Sequence, residues 1–125
     1  MEMNEALGQV YAQALLAIAR VDREISPEES SRVRELVAAR STVTVDFEAS
    51  FFEKMTPERL ANEVPKPDHV TFAQLLIADG VSLATVDGDL NSAEANAILR
   101  FARTLGCSAF EISSVTRQLD EYLNR

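Results

Sequence analysis

Cysteine, histidine and glycine are scarce in this chain. Cys107 is the single cysteine, which excludes an internal disulfide and a zinc site built from thiolates. A lone thiol suits a reducing compartment. His69, the single histidine, lies beside Asp68 at the start of a helical stretch and reads as a surface or capping residue rather than a general base. No glycine-rich phosphate loop, histidine-rich metal cluster or aromatic-basic nucleic-acid surface is present. No apolar run approaches the roughly 18 residues of a membrane-spanning helix. The opening Met1 to Asn4 carries no basic leader. The expectation is a soluble, cytoplasmic protein without direct membrane insertion.

Positive charge is also short. Twelve basic residues face twenty acidic ones, a formal net charge of −8, which argues against nucleic-acid or anionic-membrane binding. Cations, basic protein surfaces or no particular partner are the natural readings of that charge. A hydrophobic content of 46% over 125 residues suffices for one sizeable core but not for two comfortable domains. Residues 1–125 therefore read as a single domain.

What is abundant is helix signal. Asn4 caps a helix running to about Val21, with Leu7, Val10, Tyr11, Ala14, Leu15 and Ile18 at helical spacing. Ser26, Pro27 and Glu29 form a capping box with proline at the first helical position, opening a second helix to about Arg40. Residues 41–45 read as extended linker. Asp46 caps a short helix through Met55, and Thr56-Pro57 starts another through about Asn62. Pro65 and Pro67 then break the chain. Asp68 caps a long helix over 69–86, apolar nearly all round and therefore the expected centre of the bundle. Within it, Gly80 marks close helix packing, and Asp79 reads as a narrow exposed stripe in preference to a buried carboxylate requiring a partner. Asn91 with Glu94 opens a helix that ends at Gly106. Ser108 with Glu111 opens a last one through Ile112, Val115, Leu119, Tyr122 and Leu123. The fold class is all-α: five main helices plus one or two short ones, in two related halves joined by a variable middle over 42–67.

The halves are related by a repeated acidic turn. Asp22, Glu24, Ser26 and Glu29 recur as Asp87, Asp89, Asn91 and Glu94, with Ile25 and Leu90 as equivalent apolar staples. Two readings stand side by side. In one, these residues only cap helices and complement their dipoles. In the other, Asp22, Glu24, Glu29, Asp87, Asp89, Asn91 and Glu94 supply oxygen ligands to a divalent cation, calcium or magnesium, in one shared pocket. An ordinary EF-hand is excluded. Ser92 stands where that loop needs glycine, and Ile98 where it needs glutamate.

The stretches from Ala19 to Glu29 and from Ala84 to Glu94, the second continuing through Ile98 to Gly106, resemble the TerB-like domains associated with tellurite resistance. The resemblance covers residues 5–41 and 68–124. The family pattern is an aspartate, usually followed by glycine, then an apolar position, a cap and a glutamate seven residues after the aspartate. Asp22 with Glu29 and Asp87 with Glu94 match it; Arg23 replaces the usual glycine. The resemblance implies an all-helical, non-enzymatic domain of stress-response or membrane-linked complexes, with metal sensing proposed at the acidic turns. It implies a protein partner, membrane-associated or basic, and no organic cofactor. The alternative is a metal-free interaction module whose acidic face docks a basic protein.

Overall fold

The computed structural model describes residues 2–21, 25–42, 55–86, 92–107 and 117. The described residues form α1 (Glu5–Ala19), α2 (Pro27–Ala38), a short α3 (Pro57–Glu63), a 3-10 turn (Lys66–Asp68), α4 (His69–Ala84) and α5 (Ser92–Thr104). The architecture is all-helical, with no strand among the described residues. The expected helices over 46–55 and 108–124 lie outside the described residues, apart from Met55 and Arg117.

Local chemistry accounts for most helix starts. Asn4 is extended, and its Oδ1 accepts the Leu7 N–H at 2.9 Å. In α2 both halves of the capping box form. Ser26 Oγ accepts the Glu29 N–H at 3.1 Å, and Glu29 Oε1 accepts the Ser26 N–H at 3.0 Å. Thr56 Oγ1 accepts the Arg59 N–H at 3.1 Å, with Pro57 at the first helical position. Each such cap is worth about 1 kcal/mol.

Asp68 departs from the expected pattern. Residues 66–68 are already wound into the 3-10 turn, so Asp68 has φ −97° and ψ −3° rather than the extended backbone of a cap, and its side chain makes no capping bond. His69 serves the junction instead: its Nε2–H donates to the Val64 carbonyl at 2.7 Å.

Helix α5 ends in a Schellman motif. The Cys107 N–H reaches the Ala102 carbonyl at 3.0 Å, the Gly106 N–H reaches Arg103 at 3.0 Å, and Gly106 has φ +84°. Cys107 is the residue after that glycine, the position whose side chain folds back on the helix, and it is buried.

The core is shared between α1 and α4. Helix α1 buries Tyr11, Ala12, Ala14, Leu15, Leu16, Ile18 and Ala19, and it packs against α2, α3, α4 and α5. Helix α4, expected to be the single centre, contributes Phe72, Ala73, Leu76, Ile77 and Leu83 and has its largest contact with α5. Gly80 permits that approach. A Cβ at this position would lie 3.0 Å from Ile98 Cγ1 and 3.5 Å from Ile18 Cδ1. Burying each large apolar side chain contributes about 1.5–3 kcal/mol.

Candidate functional site

The two acidic turns are carried by equivalent helix starts. Glu29 lies in the first turn of α2 and Glu94 in the first turn of α5. Both are fully buried, a rare state for a glutamate. The Glu29 carboxylate is held in place by its bond to the Ser26 N–H. The next turn of each helix buries an equivalent apolar residue, Val33 in α2 and Ile98 in α5, followed by Val37 and Ala102. The repeat therefore persists in the packing and places the two glutamates at matching depths.

Of the proposed cation ligands, Asp22, Glu24, Asp87, Asp89 and Asn91 lie outside the described residues. Among the described residues, no three His, Cys, Asp or Glu side chains are grouped as a metal site. The donor chemistry of the described pair does fit a hard divalent ion. Both are carboxylates, out of bulk water, in the first turn of a helix directly after an acidic segment.

A second polar cluster lies inside the core, and its central residue is buried where the helix pattern predicts a narrow exposed stripe. Asp79 on α4 is only 5% exposed. Arg40, just beyond the end of α2, grips it at two points: Nε to Oδ2 at 2.6 Å and Nη2 to Oδ1 at 3.0 Å. The Tyr11 hydroxyl on α1 donates to Asp79 Oδ2 as well. Tyr11 is fixed in turn by an edge-to-face contact with Phe72, ring centroids 5.1 Å apart. One carboxylate thus joins three helical segments.

The electrostatics follow from that geometry. Burial pushes the Tyr11 phenol far above its ordinary value; the Asp79 charge and hydrogen bond add to the rise, and Arg40 opposes it. The hydrogen bond to Asp79 raises Arg40 above its own range, against the effect of burial. The Tyr11 phenol is accordingly neutral and the Arg40 guanidinium charged. A signal for the cluster exists in the sequence. Asp79 is the only charged residue between His69 and Val86, and a lone charge in a helix apolar nearly all round calls for a buried partner.

His69, half-buried and bonded to a backbone carbonyl, adjoins neither cluster's described members in any hydrogen bond. No described helix is long and apolar enough to cross a membrane.

No curated protein and no solved structure matches the chain. The family model of the tellurite resistance protein TerB matches residues 9–118. The match takes in both acidic turns and both buried glutamates. It also runs through the middle segment, for which the motifs alone suggested no relative. With an all-helical fold and a match over most of its length, the chain belongs to the TerB family.

Proposed function

We propose that this chain is a non-enzymatic stress-response or adaptor domain that binds a divalent cation, calcium or magnesium, through its paired acidic turns. The observation that carries the reading is the complete burial of Glu29 and Glu94 at equivalent first-turn positions. The helix N-terminus favours negative charge at these positions, and carboxylate oxygens are the donors that a hard divalent ion takes. Glu29 and Glu94 would hold the ion together with Asp22, Glu24, Asp87, Asp89 and Asn91. The bound ion would neutralise repulsion among the carboxylates and tie the start of α2 to the start of α5. No reaction is assigned to it.

The partner in this reading is a protein, basic or membrane-associated, engaged in the cytoplasm; the net charge of −8 disfavours nucleic acid. The complete capping box at Glu29 favours a second reading, since it gives that carboxylate a structural role without any ion. There the domain is a metal-free interaction module and its acidic face is the docking surface.

Thermal unfolding of metal-stripped protein separates the two. Calcium and then magnesium are titrated at constant ionic strength, with Asp87→Ala alongside. A saturable rise in Tm that disappears in the variant is expected for a cation site. A response no larger than that of matched monovalent salt would leave the metal-free module.

A further inference from the structure

The Tyr11–Asp79–Arg40 cluster breaks the internal repeat. Under the correspondence that places Asp22 on Asp87 and Glu29 on Glu94, Tyr11 falls on Leu76, Asp79 on Ala14 and Arg40 on Leu105. All three counterparts are buried and apolar. At three other core positions the correspondence pairs apolar with apolar: Ile18 with Leu83, Val33 with Ile98, and Val37 with Ala102, every one of them buried. The chain thus holds an apolar solution at one set of positions and a charged one at the matching set.

Two halves with equivalent apolar faces have more than one way to dock. The α1–α2 half can meet α4–α5 in an alternative register, or meet the same half of a second copy of the chain. Apolar burial is non-directional and discriminates weakly between these arrangements. A bidentate guanidinium–carboxylate contact is directional. In a wrong arrangement Asp79 and Arg40 would be withdrawn from water without each other, at high cost. The cluster is also well placed to act, because it joins α1 and the end of α2 in one half to α4 in the other.

We propose that the Tyr11–Asp79–Arg40 cluster is a docking key that holds the two repeat halves in one arrangement within a single chain and excludes exchange with a second copy. The key acts by penalising the alternatives more than by stabilising the native state. Replacing it with the residues the chain itself uses at the equivalent positions preserves a folded core and removes the discrimination.

The test is the triple variant Tyr11→Leu/Asp79→Ala/Arg40→Leu. Helical content is followed by circular dichroism, mass by light scattering over a hundredfold concentration range, and conformational uniqueness by the amide NMR spectrum. The expected result is a cooperatively unfolding helical protein with added sets of amide peaks, or a concentration-dependent species of twice the mass that the wild type does not form. A variant with one set of peaks and the wild-type mass throughout overturns the proposal. So does a variant that fails to fold, since the cluster would then be a source of stability rather than selection.

Discussion

Arg40 grips Asp79 at two points across the boundary between the repeat halves, yet the two residues are unequally exposed, with side chains 23% and 7% accessible. That inequality sets which loss is worse. Without Arg40, the Asp79 carboxylate is left buried with only the Tyr11 hydroxyl. Without Asp79, the Arg40 guanidinium can turn towards water. Arg40→Ala should therefore cost about 3–5 kcal/mol, the usual range for a buried charge deprived of its partner, and Asp79→Ala less. Urea unfolding of both variants checks the order, and equal losses would contradict it.

Tyr11→Phe removes one hydrogen bond to a charged acceptor while keeping the ring against Phe72. A loss of about 1.5–3 kcal/mol at neutral pH is expected. The difference should depend on pH in a defined direction. The folded phenol is raised above the value of 10.0 that it has in the unfolded chain, so its contribution is fully present below pH 10. It is lost as the pH rises beyond that point, because the unfolded state ionises first. The slope from one such group is about 1.4 kcal/mol per pH unit. Wild type should lose stability between pH 10 and 11 more steeply than Tyr11→Phe, and parallel curves would remove the phenol from the account.

Gly80 and Gly106 are constrained in different ways and should respond differently. Gly106 has φ +84° with nothing within 4 Å of an added Cβ, so Gly106→Ala meets only backbone strain, about 1–2 kcal/mol. Gly80 is helical and crowded by Ile98. Gly80→Ala gains up to about 1 kcal/mol in helix propensity and must displace Ile98 by a few tenths of an ångström, leaving little net change. Gly80→Leu overfills the site and should cost about 1–3 kcal/mol. Adding Ile98→Val should recover part of that loss. Chemical denaturation of the four proteins tests the contrast, and a Gly80→Leu as stable as wild type would show that the α4–α5 contact yields easily.

What could be read from the sequence is what is decided locally. The caps at Asn4, Ser26 and Thr56 involve neighbours three residues away, and each forms as the residue types require. Gly106 as a helix stop is equally local. Asp68 is not the cap its residue type suggests, because residues 66–68 begin to wind after Pro65 and Asp68 enters α4 already turned. For Asp79 the lone charge in an apolar helix signals a buried partner, but not which residue supplies it. Its partners stand 39 and 68 residues away, beyond the reach of any periodicity argument. The repeat itself was legible and is carried into the packing, but only at Glu29 and Glu94 among the seven candidate ligands do the described residues speak to it.

Glu29→Gln separates the cap from the charge. Glutamine at this position still offers an oxygen to the Ser26 N–H, so the capping box is retained, and a charge buried in the first turn is removed. In a metal-free module the substitution should not alter the response to calcium or magnesium. In a cation site it removes a ligand or a countercharge, and the affinity falls. A hundredfold excess of ion over Kd stabilises the folded state by about 2.7 kcal/mol, and a tenfold loss of affinity takes away roughly half of that. Glu94→Gln, at the equivalent position of α5, should act in the same direction and by a similar amount if the turns share one ion. A large effect at one glutamate and none at the other would mean that the two turns do not act together. Calorimetric titration of both variants with calcium and with magnesium reads the affinity directly, free of any change in stability.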